Sequence, residues 1–274
     1  MQLAPVFGDV SRNRALAADA IRAAAADRAE LVVLPELCTT GYAFQDESQA
    51  RELGEPADGC TVSEWRELSA ELGIAIVAGF CELGEDGAPR NSAALVTSDG
   101  RARVYRKTHL WDREQLIFKA GTGCPPVLDT GSFRLGIAIC YDAFFPEVMR
   151  GLALAGADVI AVPMNSPVTG PATEPLPNEI VLALAAASVN RVFVVQADRA
   201  GAERGIEWAQ ASVICDPSGH LLAGPVRGAA MLRATCDLAA ARDKSLGVRN
   251  DVLADRRPEL YLTRPTLEAK EIVH

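Results

Sequence analysis

The sequence predicts an α/β protein in which helices cover mixed β-sheets. Helical and strand patterns alternate almost from the first residue, the signature of sheet layers packed under helices. Three strand patterns then follow one another at Ile74–Leu83, Asn91–Thr97 and Ala102–His109. The turn Ser98–Asp99–Gly100 joins the last two, so part of a sheet is antiparallel. No internal repeat and no low-complexity linker interrupts the chain, and a single domain spanning residues 1–274 is the economical reading.

The elements follow in order. Ser11–Asp27 (SRNRALAADAIRAAAAD) is Ala-rich and opens on a serine, so it reads as a helix with Ser11 at the N-cap. Leu31–Glu36 (LVVLPE) is a short buried strand. Thr61–Leu72 is a helix carrying the capping-box pattern Thr61…Glu64. After the three strands, Leu135–Cys140 is another strand. Pro146–Ala155 is a helix opened by proline at its first position. Val159–Pro163, a helix near Asn178–Val189, and Val192–Ala197 continue the alternation. Ala211–Cys215, Leu221–Ala223 and Met231–Asp237 read as closing β structure. Ser166–Pro177 has four prolines and no periodicity, which makes it the candidate mobile segment.

Composition narrows the function. A net charge of −9 argues against nucleic acid or an anionic membrane as partner, since both favour a basic face. No run approaches the ~20 apolar residues of a membrane span. The N-terminus lacks a basic segment followed by an apolar one, so a cytoplasmic protein is expected. Seven cysteines, an odd number without a CxxC, fit reduced thiols. Three histidines, none near a cysteine cluster, give no expected metal site.

Three polar residues stand where strands stop. Cys140 ends the run in GIAICYDAFFPE (Gly136–Glu147), at a strand carboxyl end with a helix close behind. α/β proteins place ligands there. Nearby N–H groups, Tyr141 foremost, can hold an oxyanion, and the local positive potential would favour a thiolate. The alternative is a small buried hydrophobe. A nucleophilic cysteine needs a base, and His109 is the one plausibly placed histidine. A carboxylate raised towards neutrality by burial would also serve. Glu36 ends LVVLPE and is such a candidate, the alternative being a solvated strand-end charge. Lys107 ends a third strand, and only four of the 27 Lys+Arg residues are lysine, which points to a compact point charge.

Together these motifs resemble the nitrilase superfamily of carbon–nitrogen hydrolases and its Glu–Lys–Cys triad. LVVLPELCTTGY (Leu31–Tyr42) matches the Glu block, YRKTHLWDREQLIFKAG (Tyr105–Gly121) the Lys block, and the Cys140 stretch the nucleophile block. Glu114 aligns with a second glutamate beside the triad. GADVIAVP, AASVNRVFVVQADRAG, ASVICDPSG and RRPELY extend the likeness over roughly residues 3–262. Asp198–Arg199 stands where members often have Asn-Arg, and Gln210 where a small residue is common.

The resemblance implies a four-layer αββα sandwich with two mixed β-sheets, pairing as a homodimer, with no cofactor and no metal. It implies Glu36 as general base, Cys140 as nucleophile, Lys107 with the Tyr141 N–H as oxyanion stabilisers, and a thioester acyl-enzyme. CYD after the nucleophile strand looks more like the family's amidases and carbamoylases than its nitrilases. A linear small-molecule amide, cleaved with release of ammonia, is therefore the expected substrate. N-carbamoyl-amine hydrolysis is the alternative within hydrolases, and an inactive scaffold the alternative outside them. Tyr42, Trp111, Phe144, Phe145 and Asn165 flank the motifs and are the candidate substrate-binding residues.

Overall fold

The computed structural model describes residues 1–168 and 176–261. Most of the Ser166–Pro177 segment therefore lies outside the described residues.

The chain opens with α1 (Val10–Ala26), whose buried Ala17, Ala20, Ile21 and Ala24 form one apolar stripe. Its N-cap is Asp9, not Ser11: the Asp9 carboxylate accepts from Arg12 N at 3.1 Å. β1 (Leu31–Val33) leads through a loop to α2 (Glu47–Leu53), which the sequence reading missed. α3 (Cys60–Leu72) starts one residue before Thr61, so the capping box does not form. The Glu55 carboxylate accepts from Thr61 N instead, at 2.8 Å. β2 (Ala75–Leu83), β3 (Pro89–Val96) and β4 (Ala102–Arg106) complete a four-stranded sheet in the order β1-β2-β3-β4. β1 is parallel to β2, and the other pairs are antiparallel.

The second sheet begins with β5 (Val127–Asp129) and β6 (Arg134–Ile137). α4 (Pro146–Leu154), with proline at its start as expected, returns the chain to β7 (Val159–Pro163). α5 (Asn178–Asn190) leads to β8 (Phe193–Ala197). A small hairpin, β9 (Ala202–Glu203) and β10 (Ile206–Glu207), precedes β11 (Val213–Cys215) and β12 (Leu221–Ala223). The order is β12-β11-β8-β7-β6-β5, with β6, β7 and β8 parallel. α6 (Leu238–Arg242) and a hairpin of β13 (Ser245–Gly247) and β14 (Asn250–Asp251) follow.

Met231–Asp237 is not a strand. Its residues are mostly exposed and join no sheet; only the preceding Ala230 makes an isolated bridge, to Gln2.

Strand alternation sorts the first sheet into two faces. Val32, Ile76, Ala78, Ala94 and Val96 pack with Ile21, Trp65 and Leu68 of α1 and α3. Val33, Val77, Ala93 and Leu95 face the other way, into a core shared with Leu135, Ile137, Val162 and Val194 of the second sheet. α4 and α5 add Met149, Leu152, Ile180 and Ala183 to that core. The result is helices, sheet, sheet, helices: the αββα sandwich. No helix among the described residues is long and apolar enough to cross a membrane.

Candidate active site

Three chain segments meet at one end of the sandwich. β1 stops at Val33, and Glu36 lies in the turn just beyond it. That turn lies against β2 at Gly79, where a Cβ atom would come within 2.5 Å of the Glu36 Cα, so only glycine permits the approach. Lys107 follows β4 directly, its N–H donating to Asn91 O at 2.8 Å. Cys140 begins a 3₁₀ turn three residues past β6 and has a φ of +46°, which a side-chain-bearing residue adopts only under constraint. That turn's first internal bond runs from Asp142 N to Ile139 O, 2.9 Å, so the Tyr141 N–H precedes the ladder.

Glu36 and Lys107 are both fully buried. Lys107 Nζ donates to Glu36 Oε1 at 2.7 Å and to Glu114 Oε1 at 2.8 Å. Asn91 Nδ2 donates to the same two oxygens, at 2.7 and 3.3 Å. Glu114 Oε2 accepts from Trp111 N at 3.0 Å. Glu36 Oε2, by contrast, is buried with no hydrogen-bond partner among the described residues. Burial pushes the Glu36 carboxyl up to about 7; Lys107 opposes this and the neighbouring Glu114 reinforces it. Lys107 is held well above its ordinary value: burial pulls it down, but Glu114 and Glu36 overcome that.

The Cys140 thiol is pushed well above its ordinary value, by burial first and then by Glu36, with Lys107 opposing. This corrects the expectation of a thiolate favoured by local positive potential. Burial and two carboxylates outweigh the single ammonium, which favours the neutral thiol. Its Sγ lies 3.8 Å from Asn165 O.

A cavity of about 1050 Å³ opens against this cluster. Tyr42, Trp111, Glu114 and Tyr141 line it, with Phe118 and Arg204 further along the wall. Three expected pocket residues take other places. Phe144 packs behind the wall against Tyr141 and Trp111 at 5.4 and 6.4 Å between ring centres. Phe145 stacks on His109 at 3.8 Å. Asn165 is fully buried, donating from Nδ2 to Glu36 O at 2.7 Å, and so anchors the turn that carries Glu36. His109 stacks on Phe145 with its Nδ1 2.7 Å from Asp142 Oδ1, whereas the groups acting on the Cys140 thiol are Glu36, Lys107 and Glu114, so the carboxylate and not the histidine faces the sulfur.

Sequence reasoning missed Asn91 and Asp142. Asp142 Oδ2 accepts from Tyr105 OH at 2.9 Å and Ile139 N at 3.1 Å, and its Oδ1 accepts from Thr108 Oγ1 at 3.0 Å. It therefore ties the cysteine turn to the lysine segment. The hints were an asparagine opening a predicted strand and the third letter of CYD.

A sandwich that gathers a thiol, a buried ammonium and two carboxylates beside a large cavity is the frame of a hydrolase. The chain belongs to the carbon–nitrogen hydrolase family, whose sequence model matches residues 1–244. A nitrilase from Pyrococcus abyssi (strain GE5 / Orsay) is 36% identical over 264 residues, covering 95% of this chain and 97% of its own. An (R)-stereoselective amidase from Pseudomonas sp is 36% identical over 224 residues, covering 81% and 78%. Among solved structures, a mutant of the amidase from Nesterenkonia sp. AN1 superimposes with a TM-score of 0.77 at 27% identity, covering 95% of this chain and 96% of its own. That structure shows the result of Michael addition of acrylamide at the active-site cysteine.

Proposed function

We propose that this carbon–nitrogen hydrolase is an amidase that cleaves linear amides through a thioester on Cys140. The observation that carries the reading is the unpartnered Oε2 of Glu36: a buried carboxylate with one oxygen fixed by Lys107 and Asn91 and the other left open. An oxygen in that state, on a group poised near neutrality, suits a general base. The names and the cysteine adduct of the amidase relatives support the same assignment.

In this scheme Glu36 Oε2 takes the Sγ proton as sulfur attacks the amide carbon. The carbonyl oxygen becomes an oxyanion. Lys107 has three N–H donors, two of them occupied by carboxylates, and the third is available to that oxyanion together with the Tyr141 N–H. As the C–N bond breaks, Glu36 returns the proton to the leaving nitrogen and ammonia departs. Glu36 then takes a proton from water, hydroxide adds to the thioester, and the restored thiol leaves with that proton. Glu114, bonded to Lys107 and to Trp111 N, holds the ammonium in place. The aromatic walls suit an apolar acyl group.

An ammonia-release screen over linear amides, carbamoyl compounds and nitriles tests this, with Cys140→Ala as control. Ammonia from amides without carbon dioxide, and a Cys140 acyl adduct trapped by mass spectrometry, are expected. Carbon dioxide appearing with the ammonia would move the assignment to N-carbamoyl-amines. Undiminished turnover by Cys140→Ala would overturn the mechanism.

A further inference from the structure

A second buried ion pair lies beside the cavity and touches no group in the proposed reaction. Arg199, just past β8, is 1% exposed, and Glu203 in β9 is 6% exposed. Arg199 Nη1 donates to Glu203 Oε2 at 2.6 Å, and Arg199 Nη2 donates to Pro5 O at 2.8 Å. The guanidinium lies over the Trp208 ring, 4.7 Å from its centre. The other carboxylate oxygen, Glu203 Oε1, accepts from Tyr42 N at 2.8 Å and Ala43 N at 2.7 Å. Trp208 meets the Tyr42 ring edge-on at 5.5 Å.

Tyr42 and Ala43 belong to the cavity wall. Three separate features thus hold one short stretch of that wall: a carboxylate on its amides, an indole on its ring, and a glycine ahead of it. Gly41 has a φ of +83°, and a Cβ there would fall 2.6 Å from Glu203 Oε2 and 2.9 Å from Phe7 Cα, so the carboxylate approaches only because no side chain is present. Burying both charges costs desolvation that their mutual attraction does little more than return. Stability alone is therefore a poor account of the pair. Fixing two backbone amides is a better one, because the carboxylate supplies an acceptor that no neighbouring strand offers.

We propose that Glu203, held by Arg199, is a positioning residue that sets the acyl-binding wall through Tyr42 and thereby determines which acyl groups fit. The substrate side of this inference rests on the amidase reading given above. The pair controls the size discrimination of the pocket; because the Tyr42 side chain also lies beside Glu114 and Cys140, the alkylation rate with iodoacetamide itself is the check that the chemistry at Cys140 is left alone.

Glu203→Gln removes the charge at constant shape, and Tyr42→Leu alters the wall directly. In Glu203→Gln, KM for a long-chain amide is expected to rise about tenfold relative to acetamide, with kcat changing far less. The double variant should discriminate no worse than Tyr42→Leu alone, since both act on one wall. A readout independent of turnover is the ratio of Cys140 alkylation rates by iodoacetamide and its bulkier N-phenyl derivative. Glu203→Gln should shift that ratio while the iodoacetamide rate itself stays within about twofold. Should Glu203→Gln fail to fold, Glu203→Asp keeps the charge for Arg199 but withdraws it from the Tyr42 amide, and the same ratio is read. An equal loss of kcat for all amides, additive effects with Tyr42→Leu, or an unchanged alkylation ratio would overturn the proposal. Absence of amide turnover by the wild type would instead sink the amidase reading, with the alkylation ratio still deciding this one.

Discussion

Two buried clusters, each pairing a cation with carboxylate, border Tyr42, and their carboxylates are satisfied to different degrees. Around Lys107, the Glu36 carboxylate has one oxygen bonded twice and the other bonded to nothing among the described residues. Around Arg199, both oxygens of Glu203 are taken, one by the guanidinium and one by two backbone amides. The choice of cation follows the same division. Lysine is a point charge with a donor to redirect, whereas arginine is a planar fork that fixes its partner and stacks on Trp208. A site that must accept and return a proton keeps a carboxylate oxygen open, and a site that must hold a wall in place closes both, although Arg199 Nε and Trp208 Nε1 there have no partner among the described residues.

The sharpest way to break this contrast is to remove the thiol. Cys140→Ala should lower turnover by about 10⁴ or more without unfolding the protein, as read by ammonia release and circular dichroism. Glu36→Gln removes the open acceptor and should reduce kcat by about 10³, the middle of the range for a lost general base. Lys107→Arg keeps the charge but replaces the point donor with a fork in a fully buried space. A fall in kcat of about 10² is expected, where an indifferent charge would cost little.

The pH profile sharpens the comparison further. Glu36 must be ionised to act as base, so kcat/KM should rise with pH through a midpoint near 7. An acid limb centred near 4.5, the ordinary value for the group, would show that burial does not govern it. The smallest expected effect is on stability. The folded state holds the Glu36 proton more tightly than the unfolded chain, so stability from this group is greatest below the unfolded value and declines as pH rises through about 7. Glu36→Gln escapes that decline. Its Tm should exceed that of the wild type at pH 8 by roughly 5 °C and by less at pH 5.

Legibility in the sequence followed range. Glu36, Lys107 and Cys140 were readable because each ends a strand pattern, and because the blocks around them resemble a known family. The alternation of Val32 and Val33, or of Ile76 and Val77, between helix-facing and sheet-facing cores is likewise written in a period of two. Asn91 and Asp142 were missed because most of their partners lie tens of residues away and the local hints, a strand-opening asparagine and the third letter of CYD, do not say what they touch. The thiolate expectation failed for the same reason: the turn amides are visible in sequence, while burial beside two carboxylates is a property of the fold. Gln210, noted as a departure, sits at a φ of +56°, in the left-handed region that favours glycine. β9, β10 and β14 have two residues each, too few to show a period.

The proposed reacting groups are divided between the two sheets, with the acid and the ammonium just beyond β1 and β4 and the sulfur beyond β6. The stretch between β4 and β5 is the one covalent link joining these halves of the catalytic apparatus. A chain severed there, beyond Phe118, would yield two inert fragments, one bearing the base and the cation, the other the nucleophile. Any recovery of turnover on mixing them would count, molecule by molecule, how often the halves find each other.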